Sequence, residues 1–144
     1  MLIDRQALKI LKVASTDETR RVLQGLHVKG GHAEATNGHV LARVALPATP
    51  VEECPEAWKG AGDSLEGKLL DPQDLKEVDR ALQKQKGYLP ILSVAAIGQA
   101  ENGLRASWGL EGQVYTVREV EGSYPDIGKV LPTRKPTLQV AIAA

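Results

Sequence analysis

The chain lacks the residues that mark several common classes of protein. Its 144 residues include no phenylalanine, and aromatic side chains make up only 3% of the total. A surface that binds nucleic acid by stacking bases on clustered aromatic rings is therefore not expected. The single cysteine, Cys54, excludes an internal disulfide and is typical of proteins from a reducing compartment.

Net charge and long apolar runs are also absent. The 18 basic residues balance 18 acidic ones, so any contact with nucleic acid must come from where the charges lie and not from their total. No segment approaches the roughly 20 apolar residues of a membrane span, and residues 1–5 lack the layout of a signal peptide. The sequence predicts a cytoplasmic protein with no membrane partner.

A turn between two strand-like segments is the clearest local signal that the chain does contain. Residues 22–28 and 40–46 alternate between apolar and polar side chains, and Asn37-Gly38 lies between them. Asn and Gly tolerate the positive φ of tight hairpin turns. We therefore expect strands over residues 20–28, 32–36 and 40–46, joined as a meander.

Two amphipathic helices are predicted, and each carries a row of basic side chains. The first begins at a capping Asp4 and runs to about Ala14; the second begins at Asp71-Pro72 and runs to about Lys86, before Gly87. One basic row is explained by an ordinary solvated helix face. Two basic rows on neighbouring helices fit a surface that faces nucleic acid as well as they fit two solvated faces. The rows consist of Arg5, Lys9 and Lys12 on the first helix and Lys76, Arg80 and Lys84 on the second.

The second half of the chain repeats the pattern of the first. Residues 66–70 predict a short strand before the second helix, and residues 91–97, 103–108 and 113–120 predict three strands after it. Between the halves, residues 47–67 contain Pro and Gly without periodicity and predict a solvated, mobile linker. The fold class is therefore α+β: a pseudo-two-fold repeat of helix plus antiparallel strands, with both helices packed on one side of the sheets.

Three segments resemble the middle domain of the bacterial DNA polymerase III beta sliding clamps. Residues 17–25 (DETRRVLQG) resemble that domain's acidic-x-x-arginine and leucine-x-glycine pattern, and residues 35–42 (ATNGHVLA) resemble its histidine turn. Residues 121–132 (EGSYPDIGKVLP) are similar to its closing motif of a glycine, an aromatic, Pro-Asp and Val-Leu-Pro. The three segments occur in the order and approximate spacing of the family.

The resemblance implies a non-catalytic processivity factor, bacterial or phage-encoded, whose domains close a ring around duplex DNA with helices inward. The six basic residues of the two helices would then make weak, non-specific contacts with DNA, which permit sliding. Residues 1–132 would form one clamp domain. Residues 133–144 would be a linker and the opening strand of a further clamp domain, and other domains or subunits would complete the ring.

The resemblance also implies a groove that binds peptides of DNA polymerase and of the clamp loader. Carried over by position, the share of this domain would be Leu23, Thr36, Gly38, His39, Val40, Leu41, Pro125, Lys129 and Val130. The sequence departs from the family at Val40, where a basic residue is usual, at Asn37, where Asp is usual, and at Ile127-Gly128, where an aromatic and a basic residue are usual. An adaptor that binds such peptides without encircling DNA is the alternative function.

Other chemistry is less well supported by the residues. His27, His32 and His39 with Glu34 could bind zinc, but no cysteine is near them. A hydrolase could use His39 with Cys54 or Asp126, yet Cys54 lies in a Pro-rich segment without a strained turn. We therefore expect no catalytic residue, no metal and no cofactor.

Overall fold

The computed structural model describes residues 1–48, 51–58, 60–85, 89–131 and 133. Two antiparallel sheets of four strands form its frame, with strand orders β1-β6-β7-β8 (the first sheet) and β4-β3-β2-β5 (the second sheet). The elements are β1 (Leu2–Asp4), α1 (Arg5–Lys9), β2 (Leu26–Lys29), β3 (His32–Thr36), β4 (Leu41–Ala45), β5 (Leu69–Leu70), α2 (Pro72–Lys84), β6 (Val94–Ala100), β7 (Gly103–Trp108) and β8 (Gln113–Val117).

The expected repeat is confirmed, with one strand that the sequence analysis missed. Each half consists of a strand, a helix and a three-stranded meander, and β1 is the missed first strand. The first strand of each half pairs with the other half: β1 with β6, and β5 with β2. This exchange brings both helices against the same core.

A single apolar core joins the helices to both sheets. Its members come from α1, from α2 and from the inner faces of the two sheets, so that no half has a separate core. The fully buried residues among them include Ile3, Ala7, Leu26, Leu75, Val78, Ile97 and Leu104. No described helix has the length and apolar character to cross a membrane.

Both helix starts are capped as the sequence predicts, but the first helix is shorter than expected. Asp4 accepts a hydrogen bond from the Ala7 amide, and Asp71 accepts from the amides of Gln73 and Asp74. The α-helical part of the first helix ends at Lys9, and Ile10–Val13 continue it as a 3-10 helix. α2 ends at Lys84; the predicted stop at Lys86-Gly87 lies outside the described residues.

Several predicted strands begin or end elsewhere. The stretch 20–28 starts with a 3-10 turn (Arg21–Leu23), and its strand begins only at Leu26. Residues 66–70 contribute just β5, and the strand expected over 91–97 is shifted to β6. β8 ends at Val117 because the chain then crosses to the second sheet, where Val120 N donates to Leu69 O at 2.8 Å.

The connection between the halves packs on the outer face of the first sheet instead of forming a free linker. Residues 54–58 and 60–66, here called the strap, place Trp58 against Leu2 and Ala96. The Trp58 side chain is only 5% exposed, and its Nε1 donates to Gly109 O at 2.7 Å. Composition alone predicted a solvated segment because a single tryptophan leaves no periodic pattern.

An ion pair between the buried Asp74 and the exposed Arg118 fixes the start of α2 to the residue that follows β8. Arg118 Nε donates to Asp74 Oδ2 at 2.9 Å, and Arg118 Nη2 donates to Asp74 Oδ1 at 3.0 Å. The hydrogen bond from Arg118 holds the pKa of the Asp74 carboxyl below its usual value of 3.8, although burial opposes this shift. Asp74 therefore stabilises the fold in its ionised form.

We predict that Trp58→Ala lowers the free energy of unfolding by about 3 kcal/mol, because a buried tryptophan is replaced by a cavity. Urea denaturation measures the change. Glu56→Ala, on the exposed part of the strap, is the control and should stay within about 0.5 kcal/mol of the parent. Equal stability of the parent and the tryptophan variant would mean that the strap does not hold the sheet.

We predict that Asp74→Asn lowers the free energy of unfolding at pH 7. A carboxyl whose pKa is depressed by folding stabilises the protein above its unfolded pKa, and this contribution is lost as the pH falls through the folded value. The variant should consequently lose less stability than the parent below pH 3.8. Thermal unfolding between pH 2 and pH 7 tests this; parallel curves for the two proteins would refute it.

Candidate nucleic-acid and peptide-binding surfaces

The two helices lie side by side and enclose a cleft of about 750 Å³. Its apolar floor comes from Leu8 and Leu75. The cations that line it are Arg5, Lys9, Lys12 and Lys76. The structure thus brings basic residues of both helices to one surface, as expected, while Arg80 and Lys84 lie on α2 outside the cleft lining.

Acidic residues neutralise part of this surface. Arg5 Nε lies 3.3 Å from Asp79 Oδ1, and Arg80 is paired with Glu77 one turn earlier on α2. The remaining predicted cations make no ion pair within the described part of the chain: Lys9, Lys12, Lys76 and Lys84. Unpaired lysines can exchange water for phosphate without breaking an existing contact, so they are the strongest candidates for binding DNA.

The β3–β4 turn, residues 37–40, is held by its own side chains. Thr36 Oγ1 donates to Val40 O at 2.7 Å, and Asn37 Oδ1 accepts from the amides of His39 and Val40. Gly38 has a φ of 92°, and none of the other described turn residues has a positive φ. The hairpin is confirmed, but as a longer loop closed by Asn37 and not as a two-residue turn. This geometry leaves Val40 55% exposed.

Residues 121–131, here called the exit segment, lie against the second sheet beside this turn. The Tyr124 ring stacks on the His27 ring with a centroid distance of 4.4 Å and an interplanar angle of 18°. Burial, together with the nearby charge of Glu34, raises the pKa of Tyr124 to about 12, and an interaction with the Thr36 backbone opposes the shift. Tyr124 of the exit segment therefore lies near Thr36, at the β3 end of the turn.

The candidate groove residues differ in exposure. Leu23 and Thr36 are buried, and Leu41 is half-buried. Val40 and Val130 are exposed apolar side chains, the latter at 71%. The remaining members, Gly38, His39, Pro125 and Lys129, are exposed. Exposed apolar side chains such as these are suited to contacts with apolar side chains of an extended peptide.

Neither the zinc site nor the hydrolase site considered from the sequence is assembled in the part of the chain that the structure describes. Both Glu34 oxygens are occupied, since Oε2 is 3.0 Å from His27 Nδ1 and Oε1 is 3.2 Å from Arg43 Nε. Within the described ranges no three His, Cys, Asp or Glu side chains are grouped to hold a metal ion. Cys54 lies on the strap, where burial raises the pKa of its thiol, and Asp126 is paired with Lys29 on the second sheet.

Sequence reasoning missed the contact between His27, Glu34 and Tyr124. It treated His27 and Glu34 as possible zinc ligands because they are close in sequence. The register of β2 and β3 places these two residues directly opposite each other, which the alternation of both strands could have indicated. The stacking of Tyr124 on His27 joins residues far apart in the chain, and no local pattern signals it.

Comparisons with known proteins agree with this architecture. No family model matches the chain, but it is 32% identical over 127 residues to the beta sliding clamp of Synechocystis sp., which covers 85% of the chain and 31% of that relative. The sliding clamp of Pseudomonas aeruginosa matches 92% of the chain and 34% of its own length, with a TM-score of 0.59 and 26% identity.

A second structure from Pseudomonas aeruginosa, a sliding clamp bound to griselimycin, matches 93% of the chain and 34% of its own length. Its TM-score is 0.60 and its identity 24%. The chain therefore spans about a third of the length of these relatives.

Proposed function

We propose that this chain, as a domain of the sliding-clamp family, helps to encircle duplex DNA. It tethers DNA polymerase there and catalyses no reaction. The observation that carries this proposal is the cleft in which lysines of both helices share one surface. The β3–β4 turn and the exit segment would form the docking site for polymerase and clamp-loader peptides. The proposed location is the cytoplasm.

The charge of the helix surface suits a protein that slides. Lys9, Lys12 and Lys76 are separate cations that form no ion pair with any described residue, and acids such as Asp79 and Glu18 lie among them. Each lysine can contact a phosphate through a flexible, sequence-independent interaction that is weak at physiological salt. A denser cationic surface would bind duplex DNA more tightly and oppose movement along it.

Edge strands could join this domain to others in a ring. In the described part of the chain, β8 lies at one edge of the first sheet and β4 at one edge of the second, each with one neighbouring strand, while β1 and β5 lie at the opposite edges. Val114 and Tyr115 on β8 are exposed, and an unpaired edge can add a strand from another chain or domain.

We further propose that residues 1–132 form one clamp domain and that residues 133–144 lead into another; Pro132 and residues 134–144 lie outside the described residues.

The nine groove residues would bind an extended segment of a partner protein. Leu23 and Thr36 would form the floor, while Val40 and Val130 would cover apolar side chains of the peptide. Lys129 and His39 at the rim favour a peptide that also carries an acidic group or a carboxylate. The replacement of a basic residue by Val40 makes the contact more apolar than the family pattern implies.

A second function is an adaptor that binds replication peptides without encircling DNA. The ion pairs of Arg5 with Asp79 and of Arg80 with Glu77 favour this alternative, because they remove two of the six predicted DNA contacts. The mass in solution, measured with and without duplex DNA, separates the two. An adaptor remains a monomer in both conditions, whereas a ring component assembles.

We predict that the double variant Lys9→Gln, Lys76→Gln binds duplex DNA more weakly and with a smaller dependence on salt. Loss of two phosphate contacts should reduce the slope of log K against log salt by about 1.8. Lys68→Gln removes one cation that is already paired with Glu119 and serves as the control. A slope equal to that of the parent would contradict a DNA-facing role for the cleft.

We predict that griselimycin, the ligand of the Pseudomonas relative, binds this chain and that Val40→Asp or Val130→Asp weakens it at least about tenfold. The reason is that a desolvated carboxylate opposes binding in an apolar groove. Isothermal titration calorimetry measures the affinity. Val114→Asp, at an equally exposed valine on β8, should leave it unchanged; an equal loss there would place the site elsewhere.

A further inference from the structure

A buried polar cluster lies on the second sheet directly beneath the exit segment. Its central member is Glu34, which is 2% exposed and bonded through both carboxylate oxygens to His27 and Arg43. His27 itself is 8% exposed. Charged groups in such positions cost desolvation energy, and apolar side chains of the same volume are often equally stable there. Packing of the core alone therefore does not explain why polar side chains occupy these buried positions.

The exit segment is anchored to this part of the sheet at two residues, and a third residue of the segment is buried. Tyr124 stacks on His27, Asp126 accepts a hydrogen bond from Lys29 Nζ at 3.2 Å, and Ile127 is 3% exposed. The residues that belong to the candidate groove lie between and after these anchors. The position of Tyr124 thereby determines where Pro125 lies and in which direction the segment continues toward Val130.

The same cluster also contacts both strands that flank the β3–β4 turn. Glu34 lies on β3, two residues before Thr36, and Arg43 lies on β4, beyond Leu41. The chain of contacts from Tyr124 through His27 and Glu34 to Arg43 consequently links the two walls of the groove. A change in this cluster can move one wall relative to the other.

We propose that His27 and Glu34 are positioning residues of the peptide groove, which hold Tyr124 and the exit segment in register with the β3–β4 turn. This inference rests on the proposed function for its consequence in binding, but the contact itself can be tested without a ligand. Both act through the residues they contact, His27 through Tyr124 and Glu34 through Arg43. Loss of the ring at position 27 should release the exit segment while leaving the first sheet intact.

The test compares His27→Ala with His27→Phe, which keeps a ring for Tyr124 to stack on. Amide hydrogen exchange over residues 121–131 and griselimycin affinity are measured for each. We expect the alanine variant to exchange at least about tenfold faster in this segment and to lose about tenfold in affinity, with most of both restored by phenylalanine. Glu34→Gln, which keeps the shape but not the charge, should show an intermediate effect.

Trp58→Ala is the matched control, because it destabilises the outer face of the first sheet without touching the cluster. Because this variant lowers the overall stability but keeps the His27 contact, it should leave exchange in residues 121–131 and griselimycin affinity close to those of the parent. Changes equal to those of His27→Ala would show that lost stability, and not the lost ring contact, causes them. Unchanged exchange in His27→Ala overturns the proposal, as does faster exchange with full affinity or global unfolding of that variant. If the parent itself fails to bind griselimycin, the proposed groove is wrong, and the exchange data alone still decide whether His27 holds the segment.

Discussion

The exchange of first strands between the two halves is the constraint on which the rest of the structure depends. β1 ends at Asp4 and β5 at Leu70, and in each case the next residues begin a helix under an aspartate cap. Because each exchanged strand is the outer strand of the other half's sheet, the helices that follow are both directed onto one core. Side-by-side helices, and with them a shared basic surface, follow from the pairing of short strands.

This arrangement explains how a chain without net charge can present a cationic surface. The helices expose lysines at the cleft, and much of the compensating negative charge lies elsewhere, for example at Glu52 and Glu53 just before the strap and at Glu56 on it. The second surface, formed by the turn and the exit segment, depends on different contacts, chiefly the stacking of Tyr124 on His27. The proposed DNA and peptide sites can therefore be altered separately by mutation.

The fold could be predicted from the sequence wherever a signal is local. Asp71-Pro72 marks a helix start, Asn37-Gly38 marks a hairpin, and the alternation of residues 103–108 marks β7, so these features agree with the structure. β1 has only the residues Leu2–Asp4, too few for a periodic pattern. Trp58 and Tyr124 find their partners across the fold, at Gly109 and His27, and such pairings become visible only when the topology is known.

Nuclear magnetic resonance mapping of the protein during titration with duplex DNA tests the central claim most directly. The account predicts that amide shifts change along α1, the 3-10 turn Ile10–Val13 and α2, with Lys9 and Lys76 near the centre, and that these changes fade as salt is raised. The strap and the exposed edge of β8 should remain unaffected. Changes concentrated on the strap or on the exit segment, with none at the helices, would contradict the account.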